Sequence, residues 1–442
     1  MQRILALAKL ASLLIAFLYQ SINYGQTPYH QTVEKVQELL EANYIFLDKA
    51  KETNAHLDKL MKNGSFEGKT PSDFASFLTQ EMRSITKDKH LRFVWNKEPR
   101  KSRKKEPSFK DNFSRYRTPM LRGFKLMKGN IGYIDLAYFG GAPFHTSKID
   151  QVMNEMQIAD AIIIDMRRNG GGSPVTVNYL SSYFFNEKLL LNTIYSRANN
   201  HSEEMWVVDT KGLKRPNVPV YILTSADTFS GAEDFSYTMQ SRKRATIIGE
   251  VTGGGAHPTR YHGIDGTDFG IRIPFARTVN TVTKTNWEGT GVTPDIKMNA
   301  DEALNKAEEL AKQEAITYSN ALFKPLENAM NSLKKDNKEL IKQLEYLITS
   351  GILDEFEING LGYSYLLRGQ KDTAIAIFNA NTILFPDSAN VYDSYAEALA
   401  TNNQNDLALI NYQKAVKTAA KNNDDQLELF QNNLKAFQEK AN

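Results

Sequence analysis

A serine hydroxyl acts as a nucleophile when a base can take its proton and nearby dipoles can receive the charge it creates on its target. Ser230, in the stretch TFSGAEDF from Thr228 to Phe235, is placed for such chemistry. Ahead of it, Val220-Tyr221-Ile222-Leu223 reads as a short apolar strand and Ser225-Ala226-Asp227-Thr228 as a turn-rich connection. Behind it, from Gly231 onward, Ala232, Phe235 and Met239 recur at helical spacing and predict a helix with one buried face. Ser230 therefore falls at a strand-to-helix turn, where the first N–H groups of the helix lack intrahelical partners and carry the positive end of its dipole. Such groups can hold an oxyanion, and Gly231 would let a substrate carbonyl come close, as in a nucleophile elbow, although GxSxG itself is absent. The same position suits a plain N-cap, for which serine is a preferred residue. The local pattern leaves both readings open.

A second motif bears on the choice. Ala161 to Asp165 reads as a buried strand, and Gly170, Gly171 and Gly172 follow its C-terminal end in the run IIIDMRRNGGG. Ser173 and Pro174 then open another helix as cap and first helical residue, where a missing N–H costs nothing. Glycines there expose backbone N–H groups to whatever binds beside Ser230. A phosphate cradle fails for want of GxxxxGK[ST], and a dinucleotide fingerprint for want of GxGxxG.

Four separated blocks resemble the tail-specific or C-terminal processing proteases, with their tricorn and interphotoreceptor retinoid-binding protein-like branch. They are DMRRNGGG (Asp165 to Gly172), TSADTFSGAEDF (Thr224 to Phe235), IIGEVTGGGAHP (Ile247 to Pro258) and NWEGTGVTPDI (Asn286 to Ile296), in the family's order. The resemblance covers most of the chain from about Lys89 to Ile296 and implies an α/β core of the ClpP/crotonase-like protease kind, with Ser230 as nucleophile. It also implies an oxyanion hole from the N–H groups of Gly231 and of Gly171 or Gly172.

The base differs by branch. The processing proteases pair serine with a lysine carried in a TxGKG-like segment; here that segment reads Thr252-Gly253-Gly254-Gly255, with no lysine, and Lys284 lies close enough in sequence to be tested. The tricorn-like branch uses His and Glu, and the matching positions are His90 in DKHLRF and Glu288 in NWEGTGV. A neutral imidazole is a natural base for a serine hydroxyl, and a carboxylate on its other nitrogen would fix its tautomer. The resemblance thus implies His90 as base and Glu288 as its orienting group. Lys89 stands where tricorn-like proteases carry a small hydroxyl residue, and His257, beside a second glycine-rich turn, is a substrate-side residue or an alternative base.

Other chemistries find little support. The chain has seven histidines without an HExxH or comparable ligand cluster and no cysteine, so no metal and no cofactor is implied. The basic stretch from Lys97 to Arg117 has little aromatic interleaving, and the net charge is only +3, which favours a solvated loop over a nucleic-acid surface. At the N-terminus, Leu10 to Tyr19 has the length of a signal-peptide apolar core, too short to span a bilayer, with cleavage expected near Gly25-Gln26. The alternative is a retained anchor using Ile4 to Leu18 with Lys9 snorkelling.

The elements that must position these residues follow. After the leader (1–25), an N-terminal helical domain is expected over 26–88, with helical periodicity from Gln31 to Arg83 in Val33, Val36, Leu39 and Leu40, then Leu57, Leu60 and Met61, and Ser72 as a candidate cap before Phe74. The protease core is expected over 89–299, with too few residues for the PDZ domain common in processing proteases. A helical connector is expected over 300–353. Over 354–442, Leu361, Gly362, Tyr365, Gly369, Ala374, Phe378 and Pro386, then Tyr395, Ala396, Leu399, Ala408, Tyr412 and Ala415, fill two tetratricopeptide periods. That all-α domain is expected to bind a peptide or protein partner or to cap the fold. The function expected is a serine endopeptidase, periplasmic or secreted, acting on peptide or protein substrates; the rival is a non-catalytic ligand- or protein-binding member of the same fold.

Overall fold

A computed structural model describes residues 29–96, 120–333 and 337–441. The leader and the basic stretch lie outside them. The chain divides into two compact units, the first comprising the described residues up to Met127, Gly132–Val152 and Ile162–Ala311, the second Lys128–Ile131, Met153–Ala161 and the residues from Lys312 on.

Three helices open the first unit: α1 (His30–Asn43), α2 (Leu47–Lys62) and α3 (Pro71–Thr86). The periodic residues Val33, Val36, Leu40 and Leu57 are fully buried, as the sequence pattern requires. The cap of α3 is Thr70 rather than Ser72: Pro71 suits the first helical position, and the Thr70 hydroxyl reaches the Asp73 N–H at 3.2 Å. The helices share one apolar core with strands β1 (Arg92–Trp95) and, later in the chain, Phe269, Ile271 and Ile273. Tyr29 stacks on Phe74 at 4.0 Å within it.

Among the described residues the central sheet has six strands. Those introduced before the site are β2 (Leu121–Met127), β3 (Ile131–Leu136) and β4 (Ala161–Asp165); helix α4 (Phe144–Glu155) intervenes and α5 (Pro174–Ser182) follows. After the β5 (Leu190–Ser196) and β6 (His201–Trp206) hairpin come β7 (Val220–Thr224), α6 (Gly231–Ser241) and β8 (Thr246–Gly249). Strands β9 (Thr259–Gly263), β10 (Phe269–Pro274), β11 (Ala276–Asn280) and β12 (Ile296–Lys297) complete the set. The order is β12-β8-β7-β4-β3-β2, with β4, β7, β8 and β12 parallel. Strands β1-β10-β9 and β11-β5-β6 form two antiparallel sheets beside it.

β4 and β7 are buried along their whole length, which is why both read as continuous apolar runs rather than alternating ones. Because they are parallel neighbours, the loops leaving their carboxyl ends emerge side by side. One loop carries Gly170–Gly172, the other Ser230.

The second unit is helical. It contains the distal part of α7 (Ala303–Asn331), then α8 (Lys338–Thr349), α9 (Glu355–Leu367), α10 (Lys371–Leu384), α11 (Ala389–Thr401), α12 (Asn405–Asn422) and α13 (Leu427–Ala441). Ala374, Phe378, Ala396, Leu399 and Ala408 are fully buried. Gly362 faces the Phe378 ring so closely that a Cβ there would lie 2.7 Å from it. Leu326 and Ala329 of α7 and Leu340, Leu344 and Leu347 of α8 share a core with Ile358 and Ile377. Among the described residues, no helix is long and apolar enough to cross a membrane.

Candidate active site

Ser230 begins α6 with a backbone that few non-glycine residues adopt, φ 55° and ψ −119°, whereas an ordinary N-cap lies in the β region. Such strain persists only when the surroundings hold it, and here they do. On one side, the Phe229 N–H donates to the Asn169 carbonyl at 3.0 Å, and the Thr228 hydroxyl donates to the Met166 carbonyl at 2.8 Å, tying the serine loop to the glycine loop. On the other, the buried Glu233 accepts four hydrogen bonds: from Ser230 N–H at 2.7 Å, Thr252 Oγ1 at 2.5 Å, Gly254 N–H at 2.6 Å and Gly255 N–H at 2.9 Å. Burial raises the Glu233 pKa while the four donors pull it down. One carboxylate thus joins the serine turn to the Thr252–Gly255 loop.

The glycine run packs directly on the serine. A Cβ at Gly171 would lie 2.7 Å from Ser230 Cβ and 2.5 Å from Gly231 N, and one at Gly231 would lie 3.0 Å from Gly172 N. Gly171 donates its own N–H to Asn169 Oδ1 at 2.8 Å, so of the two alternatives for an oxyanion donor it is the one already engaged. Gly172 forms a parallel bridge with Phe139 that uses the Gly171 carbonyl and the Ser173 N–H, which turns the Gly172 N–H to the opposite side.

His90 lies two residues before β1 and its ring rests on Phe229, centroids 4.6 Å apart, one residue from Ser230. Its main chain is held from both sides: Arg83 of α3 donates to the carbonyls of Lys89 and of Leu91, and Asp88 Oδ1 accepts the His90 N–H at 2.9 Å. Burial lowers the His90 pKa to about 4, so the imidazole is neutral. Lys89 points elsewhere, donating to the Gly253 carbonyl at 2.5 Å. Matching Thr252 to the threonine of TxGKG puts Gly255 in the lysine's place. A Cβ at Gly255 would fall 2.5 Å from His90 Cε1 and 2.3 Å from Phe229 Cζ, so the imidazole occupies the space into which that lysine would extend. Lys284 sits instead in an exposed turn after β11.

Glu288 makes no hydrogen bond to His90 in this structure; His90 Nδ1 and Glu288 Oε1 are each buried without a partner. Glu288 Oε2 accepts the Ala256 N–H at 2.6 Å and lies 3.4 Å from His257 Nδ1. The Ala256 bond sets that direction, because it fixes the carboxylate beside the neighbouring histidine. His257 is buried, and its Nδ1 hydrogen-bonds to Asp88 Oδ2 at 2.7 Å. Burial, then the nearby Asp88 charge, pushes the Glu288 pKa up to about 7. One ligand atom from each of Asp88, His257 and Glu288 lies within 4.8 Å of the other two, a spacing a metal ion could bridge, but the short His257–Asp88 bond already accounts for the arrangement. Asp88 escaped the sequence reading, although its place two residues before His90 was a signal for a carboxylate bonded to the next turn. Glu233 was missed too, and its signal was the S-x-x-E spacing of a capping box.

The model of peptidase family S41 matches residues 130–298, and that of the N-terminal domain of this family in eukaryotic IRBP matches residues 20–121. The chain carries a family S41 peptidase region preceded by that family's N-terminal domain. The tail-specific protease of Haemophilus influenzae is 30% identical over 102 residues, a match covering 23% of this chain and 14% of that protein. Solved structures of similar fold include a candidate peptidase from Parabacteroides merdae (18% identity, TM-score 0.47, covering 63% of this chain and 95% of that one). Another is the photosystem II D1 C-terminal processing protease (14% identity, TM-score 0.43, covering 62% and 94%).

Proposed function

We propose that this protein is a serine peptidase that hydrolyses peptide bonds through an acyl-enzyme, with Ser230 as nucleophile and His90 as general base and acid. The observation that carries the reading is the His90 ring standing against Phe229 in front of Gly255, where a lysine-dependent relative would place its base. Ser230 Oγ attacks the carbonyl carbon while His90 takes its proton. The N–H groups of Gly231 and Gly172 receive the oxyanion, each such donor typically contributing ~10²–10³ in rate. Collapse of the tetrahedral species expels the amine, to which His90 returns the proton, and water then hydrolyses the ester by the same path in reverse. Glu288 is the carboxylate assigned to orient His90, with its Oε2 engaged by Ala256 and near His257 and its Oε1 unpartnered.

Labelling with a fluorophosphonate tests this directly. The expected result is a single adduct on Ser230, absent from Ser230→Ala. A folded protein that stays unlabelled at Ser230 would favour the non-catalytic, ligand-binding reading instead.

Two coarser features complete the proposal. The match to a tail-specific protease and the apolar Leu10–Tyr19 segment support a periplasmic or secreted location after removal of a leader. The chain recovered from cells is then expected to start near Gln26, and a mass that includes residues 1–25 would count against it. The buried small residues Ala374 and Ala408, with Phe378 and Tyr412 beside them, support tetratricopeptide packing in the C-terminal helices, a surface class that binds peptides or protein partners.

A further inference from the structure

We propose that Asp88 is a positioning residue of the Ser230/His90 site, setting the place of His90 through its main chain while orienting His257. The inference rests on the peptidase reading above. Asp88 is 1% exposed, and a carboxylate so buried is stable only when its oxygens are fully engaged. The engagement here is specific. Oδ1 accepts the His90 N–H, and Oδ2 accepts from His257 Nδ1 at 2.7 Å and from the Tyr44 hydroxyl at 3.2 Å. These donors come from three separate places: the entry to β1, the loop after the Thr252–Gly255 turn, and the connection between α1 and α2. Asp88 itself is placed by Lys87, whose left-handed backbone (φ 57°) ends α3.

The electrostatic argument points the same way. A general base must become an imidazolium in the transition state, and His90 is poorly placed for that, because burial disfavours its charged form and Arg83 and His257 oppose it. Among the described residues, the Asp88 charge favours the proton on His90 against Arg83 and His257. Lys89, next to His90 in sequence, is turned away to Gly253. Tyr44 holds Asp88 in place, and Tyr44 is in turn fixed by Arg197, whose Nε donates to its carbonyl at 2.9 Å. On this reading the helical segment supplies part of the catalytic environment.

The test uses the full chain and a fluorophosphonate, so no natural substrate is needed. Labelling rates at Ser230 are followed from about pH 3 to 9 for wild type, Asp88→Asn and Tyr44→Phe, with thermal unfolding measured alongside. Removing the negative charge lowers the His90 pKa. Asp88→Asn is therefore expected to slow labelling about 10²-fold, less than the ~10⁴-fold cost of losing a carboxylate bonded to the base itself, and to move the acid limb to lower pH. A folded Asp88→Asn that labels within about threefold of wild type, or that slows without moving the limb, overturns the proposal; the threefold margin sits well inside the tenfold that 1.4 kcal/mol represents. Should that variant fail to fold, Tyr44→Phe decides: labelling slowed severalfold at an unchanged unfolding midpoint supports the proposal, and unchanged labelling overturns it. A wild-type protein that does not label at Ser230 would bring down the peptidase reading, and this inference with it.

Discussion

Replacing Glu233 with alanine is expected to abolish labelling of Ser230 and to lower stability by at least about 3 kcal/mol. The estimate follows from the donors left behind: an unsatisfied buried donor costs ~1–3 kcal/mol, and four of them face this carboxylate. Water entering the space could relieve some, which is why the figure is a lower bound rather than the sum. The loss of chemistry follows separately from geometry. Ser230 holds a positive φ, and its N–H bond to Glu233 is one of the ties that stabilise that turn. Without it the turn can relax toward an ordinary helix start, carrying the hydroxyl away from His90. Denaturant unfolding and labelling of the same preparation check the two effects; an alanine variant that unfolds at the wild-type midpoint and still labels would show that the carboxylate holds neither loop. Glu233→Gln should fall between, because the amide nitrogen of glutamine must face at least one of the N–H donors it replaces an acceptor for.

What the sequence made readable tracks how local each feature is. Strand β4 and the strand-to-helix turn at Ser230 follow from runs of neighbouring residues, and they stand where the pattern put them. The Pro174 start of α5 is equally local. The partners of Glu288 were less legible, because the direction of its Oε2 depends on the Ala256 N–H, thirty-two positions away in sequence. The choice between Gly171 and Gly172 turned on which N–H the Asn169 side chain takes, and no spacing rule encodes that. Thr70 displaced Ser72 as the cap of α3 because proline at the first helical position outweighs the proximity of a hydroxyl to the apolar run. The common cause is that polar side chains with several possible partners are settled by tertiary contacts, whereas apolar periodicity is settled by the helix or strand itself.

Gly255 offers the sharpest separation between fold and chemistry. Its φ lies outside the left-handed region, unlike that of Gly254 at 79°, so alanine costs nothing in backbone strain and any effect is steric. The added Cβ would sit 2.3 Å from Phe229 Cζ and 2.5 Å from His90 Cε1, distances at which one or both rings must move. Phe229 is the less able to yield, because its N–H is bonded to Asn169 and its ring also lies against Gly253. His90 then takes up the displacement, and a shift of about 1 Å in a catalytic group can cost on the order of 10²-fold in rate. Gly255→Ala is therefore expected to slow fluorophosphonate labelling about 10²-fold, while the unfolding midpoint falls only modestly. Combining it with Phe229→Leu, which returns volume on the side facing His90, should recover part of that rate although the second change alone removes a contact. Additive losses in the double variant would mean that the methyl acts elsewhere and that the space before Gly255 does not set the position of the base.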